Sequence, residues 1–251
     1  MLRHSDWGEA DRMLWLFTRE MGKLRAIAKG VRKIRSRKAG HLEPFIRVSL
    51  LLAKGRDILI VTQAETLDAY LPLRTGLAGI TYASYVVELL DRFTYEEGEN
   101  IQLFKLLVDT LTRLTVEPDR DLVLRFFEMR LLDLVGFRPQ LFSCLGCGEE
   151  ILPQDQYFSA SAGGALCPKC GPTAQGAQPI TMGALKLLRH FQRSDFNEAK
   201  RARLSTEINY ELETLQQHYL TYLLERGLNT PPFLRKLKRM NSGLGNPDWT
   251  E

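Results

Sequence analysis

The chain of 251 residues is 44% apolar and 25% charged, the proportions of an ordinary globular protein long enough for roughly one large domain or two to three small ones. Composition therefore argues against wholesale disorder. The longest apolar runs, such as residues 48–53, fall far short of a bilayer span, and residues 1–15 lack the uninterrupted apolar stretch of a secretory signal, so a soluble cytoplasmic protein is expected.

The formal charge of +4 is unevenly spread: residues 1–72 hold 14 Lys and Arg against eight Asp and Glu, a local +6 that leaves −2 for the rest. Distribution rather than total charge creates a local field. Most of the excess lies in residues 23–38, where Lys23, Arg25, Lys29, Arg32, Lys33, Arg35, Arg37 and Lys38 follow one another with no acidic residue between them. The interleaved Leu24, Ala26, Ile27, Ala28, Val31 and Ile34 suit a strand entering a loop. Such a run is either a solvated basic loop or a surface for several phosphate contacts with counterion release, and Gly30 would let the backbone pass close to a phosphate.

Around this run the sequence predicts short strands over residues 13–18, 23–28, 45–53 and 57–65, parted by turn signals at Met21-Gly22, Ala39-Gly40 and Lys54-Gly55-Arg56. That many strands in about 70 residues point to a small closed barrel of the OB type. Alternation is imperfect at Leu50-Leu51-Leu52. OB barrels hold single strands by backbone charge and base stacking; Trp7, Trp15 and Phe17 are the available aromatics, although each taken alone fits core packing.

Past Pro72 the period changes. Tyr82, Tyr85, Val86, Leu89, Leu90 and Phe93 recur at helical spacing, as do Leu103, Leu106, Leu107, Leu111 and Leu114. A third helix starts near Pro118-Asp119 and stops at Gly136; it is apolar on nearly every face, as befits a bundle centre. Its polar exceptions, Arg125 and Arg130, are ordinary surface residues or the rim of a pocket for an acidic peptide.

Cys144-Leu145-Gly146-Cys147 and Cys167-Pro168-Lys169-Cys170 form two C-x-x-C knuckles with 19 residues between them, and they account for all four cysteines. The spacing suits a tetrahedral four-thiolate zinc ribbon, with Zn2+ holding the fold rather than doing chemistry. A disulfide pair, a thioredoxin-like redox site and an iron–sulfur cluster fit less well.

Helix returns after Pro179, with Thr181 as N-cap, and again over residues 205–227. Beyond Pro231-Pro232 comes a basic amphipathic element in which Arg235, Lys236, Lys238 and Arg239 either cap a bundle or touch phosphate. The expected organisation is an α+β multidomain chain: an OB-fold barrel over 1–72, a helical bundle split between 73–140 and 179–240, a four-cysteine zinc ribbon inserted over 141–178, and a disordered tail over 241–251.

No nucleotide-binding loop, dinucleotide fingerprint or H-E-x-x-H motif occurs, and His4, His41, His190 and His218 are scattered. The carboxylates Asp91, Glu96 and Glu97 would have to serve a magnesium-dependent nuclease, yet they look like solvated residues at a helix end. No covalent chemistry is expected.

Taken together, Gly8-Glu9-Ala10-Asp11-Arg12, Phe17-Thr18-Arg19-Glu20-Met21-Gly22-Lys23, Ala28-Lys29-Gly30-Val31-Arg32-Lys33 and Leu42-Glu43-Pro44-Phe45 mark a resemblance that continues through Phe127-Glu128, Leu131-Leu132 and Gly136-Phe137-Arg138-Pro139 into the first knuckle. The chain resembles the RecO recombination mediators of bacterial DNA repair over nearly its whole length. The resemblance implies an OB barrel that binds single- and double-stranded DNA, and a helical domain that receives the acidic tail of single-strand-binding protein. It further implies ATP-independent annealing of coated strands, and work with RecR to load RecA on DNA in the nucleoid. It places DNA on Lys29, Arg32 and Lys33. Family members usually carry several more residues before Met1-Leu2-Arg3-His4; a truncated start would leave the barrel edge incomplete and lower DNA affinity. A zinc-stabilised transcription or RNA-binding module is the alternative.

Overall fold

The computed structural model describes residues 1–95 and 98–241. Two compact units share the chain: Met1–Val116 with Pro232–Glu251, and Glu117–Pro231.

The first unit is built on five strands, β1 (Arg3–Trp7), β2 (Asp11–Thr18), β3 (Gly22–Ala28), β4 (Arg47–Lys54) and β5 (Leu59–Asp68), ordered β1-β2-β3-β5-β4. β1, β2 and β3 form an antiparallel meander, β3 runs parallel to β5, and β4 pairs antiparallel with β5. This is the strand order of an OB-fold. The expectation of a closed barrel is corrected: among the described residues no ladder joins β1 to β4, and the only backbone bridge there runs from Met1 to Phe45 and Ile46. Beside β4 a cavity of about 590 Å³ is lined by residues including Phe17, Phe45, Tyr70 and Leu107.

Period two is clean where one face is buried. On β3, Leu24, Ala26 and Ala28 point into a core with Leu14, Leu16, Val31, Leu42 and Val61, while Lys23, Arg25 and Ile27 point away. The leucine triplet of β4 obeys the same rule: Leu50 and Leu52 pack on that core and Leu51 is exposed. β1 is an edge strand with little buried, which explains its polar sequence.

The short helix α1 (Leu71–Arg74) leads into α2 (Leu77–Phe93) and α3 (Ile101–Val116), which pack on each other through the predicted stripes, including Tyr85, Leu89, Leu107 and Leu114. The second unit contains α4 (Arg120–Leu134), a sheet of β6 (Gln156–Ser159), β7 (Gly164–Leu166) and β8 (Gln178–Ile180) ordered β7-β6-β8, and the helices α5 (Met182–Arg193), α6 (Phe196–Ala199) and α7 (Thr206–Leu224). α4 is the bundle centre, buried continuously from Leu122 to Met129 and packed against α5 and α7. Its start is capped by Asp119, whose carboxylate accepts the Leu122 amide at 2.9 Å, and Thr181 caps α5 by accepting the Ala184 amide at 3.2 Å.

The last helix, α8 (Thr230–Asn241), buries Leu234 and Leu237 and ends in Lys238 and Arg239, whose charge complements the helix dipole. Residues 242–251 of the expected tail, like Glu96 and Glu97, lie outside the described residues. No described helix is long and apolar enough to cross a membrane.

Candidate nucleic-acid interface and metal centre

β3 carries the basic run to the rim of the first sheet, and the loop that follows is braced at several points. The amide of Gly30, at φ +64°, donates to Asp11 Oδ1 at 2.7 Å, so that amide is already engaged by protein rather than left for a phosphate. The Arg32 amide donates to the Ala10 carbonyl at 2.9 Å while Val31 is buried in the core. The Arg32 side chain donates to the carbonyls of Gly8 and Glu9 and lies 3.2 Å from Asp6, which ties the loop to the β1–β2 turn. At the far end Lys38 Nζ donates to the Val61 carbonyl at 2.9 Å.

These interactions sort the eight predicted cations. Lys23 is 2.6 Å from Asp91 and donates to the Asp91 and Thr94 carbonyls, so it fastens β3 to the end of α2; Lys38 likewise serves the fold. Arg25 is exposed on the outer face of β3, and Arg32 is exposed but braced. Lys29, Lys33, Arg35 and Arg37 are exposed, and their charged ends meet no polar partner among the described residues. A rigid loop bearing four uncommitted cations can meet phosphates without first breaking ion pairs.

The predicted aromatics divide as well. Trp7 is 54% exposed on β1, Trp15 lies under the Arg3 guanidinium at 3.6 Å, and Phe17 is buried. Nearby, Arg12 donates to Glu43 at 2.9 Å and His4 lies 3.4 Å from the same carboxylate. Burial alone would raise the Glu43 carboxyl; Arg12 and His4 outweigh it and hold the group below the usual carboxylate range. On α8, Arg235, Lys236 and Arg239 are exposed and Lys238 is half-buried, all four with partners within the chain.

Arg125 and Arg130 do not share a rim. Arg125 is wholly buried, 2.9 Å from the equally buried Glu128, and Gln216 donates to its carbonyl. Arg130 is half-buried, donates to the carbonyls of Gln192 and Ser194, and lies over the Phe126 ring. Of the suggested magnesium carboxylates, Asp91 is paired with Lys23 and Arg3. His190 bonds Ser194 and His41 bonds Thr66.

The four cysteines converge as the spacing predicted. Their sulfurs all lie within 4.8 Å of one another, and no other group of three or more His, Cys, Asp or Glu side chains among the described residues is so placed. Each knuckle is a tight turn: the Gly148 amide donates to the Cys144 carbonyl at 2.8 Å, and the Cys170 and Gly171 amides donate to the Cys167 carbonyl. The β6–β7 hairpin between the knuckles delivers Cys167 directly after Leu166. At Gly146 a β-carbon would stand 2.9 Å from Cys170 Sγ, so only glycine lets the knuckles close.

The donor set fits one tetrahedral metal ion. Cys147 Sγ and Cys167 Sγ are 3.8 Å apart, and zinc–sulfur bonds of about 2.3 Å in a tetrahedron separate sulfurs by about 3.8 Å. Cys144 Sγ also accepts the amides of Cys167 at 3.2 Å and Gly146 at 3.4 Å. Burial alone would raise this thiol; the amides of Cys167, Cys147 and Gly146 outweigh it and bring the group down to about 6. Cys170, beside the Cys167 side chain, is pushed up to about 12. Sulfurs this close cannot all ionise without a cation among them.

Residues 1–70 match the model of the recombination protein O N-terminal domain, and residues 74–232 match that of its C-terminal domain. The chain is 41% identical to the DNA repair protein RecO of Roseiflexus sp. (strain RS-1), over 96% of this chain and 84% of the relative. Identity with the DNA repair protein RecO of Pelotomaculum thermopropionicum is 36%, over 99% of this chain and 96% of the relative. For that of Dehalococcoides mccartyi (strain ATCC BAA-2266 / KCTC 15142 / 195) it is 36%, over 96% and 95%. With both domain models covering it nearly end to end, the chain belongs to the RecO family.

Proposed function

We propose that this protein is a recombination mediator of DNA repair that binds single- and double-stranded DNA, anneals complementary strands coated by single-strand-binding protein, and with RecR promotes loading of RecA, without catalysing covalent chemistry. The observation that carries this reading is the braced loop of β3, with Lys29, Lys33, Arg35 and Arg37 exposed and uncommitted. Arg25 and Arg32 extend the surface on either side, and Lys23 and Lys38 hold its ends. The exposed cations of α8 form a second basic patch in the same unit.

For the acidic tail of single-strand-binding protein, Arg130 is the candidate contact, whereas Arg125, wholly buried against Glu128, is part of the core. The four-cysteine centre takes Zn2+: Cys144, Cys147, Cys167 and Cys170 hold it, and closing the coordination sphere fixes the knuckles against β6–β8. With four thiolates and no open position, the ion supplies folding energy.

The direct test is DNA binding across a salt series with labelled single strands and duplexes, in magnesium and without nucleotide. Both ligands should bind and neither should be cut. For single strands, each of Lys29→Ala, Lys33→Ala and Arg35→Ala should flatten the salt dependence by about 0.7 for each phosphate that is no longer neutralised. Strong preference for one duplex sequence, or unchanged slopes in all three variants, would contradict the reading.

A further inference from the structure

The tip of the basic loop bears a side chain that the fold does not use. The Ser36 amide donates to the Lys33 carbonyl at 2.9 Å and closes a turn with Ile34 at its second position. Ile34 has a relative exposure of 104%, the highest of any large apolar residue among those described. Single exposed apolar side chains are common on protein surfaces, but this one is set apart by its placement. Turns favour Pro, Gly, Asn, Asp and Ser, each for a conformational reason that a β-branched aliphatic does not share. Lys33 and Arg35 flank it, both exposed, and their charged ends meet no polar partner among the described residues. The turn is also held in place, through Gly30 to Asp11, through the Arg32 amide to Ala10, and through Lys38 to Val61.

An apolar point between two uncommitted cations, on a fixed support, is complementary to a surface that alternates apolar faces with anions. A nucleic-acid strand is such a surface, its bases apolar in face and its phosphates one to a nucleotide. We propose that Ile34 is a wedge for single-stranded DNA: it enters between two neighbouring bases while Lys33 and Arg35 hold the phosphates that border the step. The proposal rests on the reading of this loop as the DNA-binding surface and adds what the loop does to the strand. Aliphatic side chains open base steps in this way in other DNA-binding proteins, and opening costs least in a single strand, where no pairing is lost. The side chain leaves water for the base faces, and because the turn is already formed little conformational freedom is lost on binding. A step held open cannot restack on itself, which keeps its bases available to a complementary strand.

The test uses the full metal-loaded chain and single-stranded oligonucleotides carrying the base analogue 2-aminopurine between purines, whose emission rises when the analogue unstacks. Wild-type binding should raise the emission. Ile34→Ser should bind roughly fivefold more weakly, comparable with the low end of what an aromatic side chain stacked on a base contributes, with an unchanged salt slope because no charge is removed. It should give no emission rise, and Ile34→Leu should restore both signals. Because Ile34 packs on nothing, all three proteins should share one melting temperature. Equal affinity and equal emission for wild type and Ile34→Ser would overturn the wedge while leaving salt-dependent DNA binding intact. An emission rise confined to duplex probes would overturn the choice of a single strand. Absence of any salt-dependent binding by the wild type would instead remove the DNA-binding reading, and the wedge with it.

Discussion

The amide of Gly30 donates to the Asp11 carboxylate at 2.7 Å, and this bond fixes where the basic loop leaves the first sheet. It joins the first residue of β2 to the residue two beyond the end of β3, so the loop is referred to strands that are themselves paired residue by residue. Charge count and geometry then make opposite predictions for Asp11→Ala. If the loop binds DNA as proposed, removing an acid beside it should strengthen binding, whereas releasing the loop should weaken it. We expect the brace to dominate, with stability lowered by about 1–3 kcal/mol and DNA affinity reduced at every salt concentration. Denaturant unfolding and a salt titration read the two effects, and a gain in affinity at unchanged stability would contradict the account.

The Arg125–Glu128 pair lies in the centre of α4 with its side chains 1% and 0% exposed. Breaking a buried pair leaves a charge in a site of low polarity, so Arg125→Met should lower the unfolding free energy of the second unit by about 3–5 kcal/mol. Replacing both residues, Arg125→Met with Glu128→Met, removes the stranded charge as well. The double variant should therefore be more stable than the single one in thermal unfolding. A double variant as unstable as the sum of the two singles would show that the residues act independently.

Glu43 gives the first unit a pH dependence of definite sign. Its carboxyl is held below the usual range once Arg12 and His4 outweigh burial. The stability it contributes is present above the ordinary carboxylate range and is lost as the pH falls through the lowered value. Melting temperature followed through acid should fall less steeply for Glu43→Gln than for the wild type, whereas curves that differ by a constant offset would contradict the assignment.

Much of this was legible in the sequence because the signals are local. The cysteine spacing gave the metal cluster, the apolar stripes gave α2, α3, α4 and α7, and Thr181 was readable as a cap. The signals that failed concern pairing between distant positions. β1 reads Arg-His-Ser-Asp-Trp and shows no alternation, because an edge strand has little to bury. Nothing local shows that β1 and β4 stop short of a closed barrel. Lys23 looks like its basic neighbours, yet its ion-pair partner Asp91 is 68 positions away, a pairing that nothing local announces. Arg125 looked like a surface residue because an arginine beside a glutamate at helical spacing ordinarily is one.

Removal of the metal should affect one unit and spare the other. A thiol-reactive agent followed by a chelator, or Cys167→Ser, should lower the melting temperature of the second unit and release the β6–β8 sheet to hydrogen exchange. The first unit should keep its protection and the salt slope of its DNA binding. Metal analysis of the purified wild type should find one zinc per chain, and reloading near neutral pH should release protons, since thiols such as Cys170 start out protonated. Loss of DNA binding on metal removal with the first unit still folded would contradict the division of labour.

The central claim, that an exposed cationic loop lets this chain bring DNA strands together, is tested most directly by annealing. Complementary strands coated with single-strand-binding protein would be mixed without ATP, and duplex formation compared between the wild type and a variant carrying Lys29→Ala, Lys33→Ala, Arg35→Ala and Arg37→Ala. The account predicts rapid annealing by the first and its loss in the second, with both folded and metal-loaded. Equal annealing by the two proteins, or none by a folded wild type that binds DNA, would contradict it.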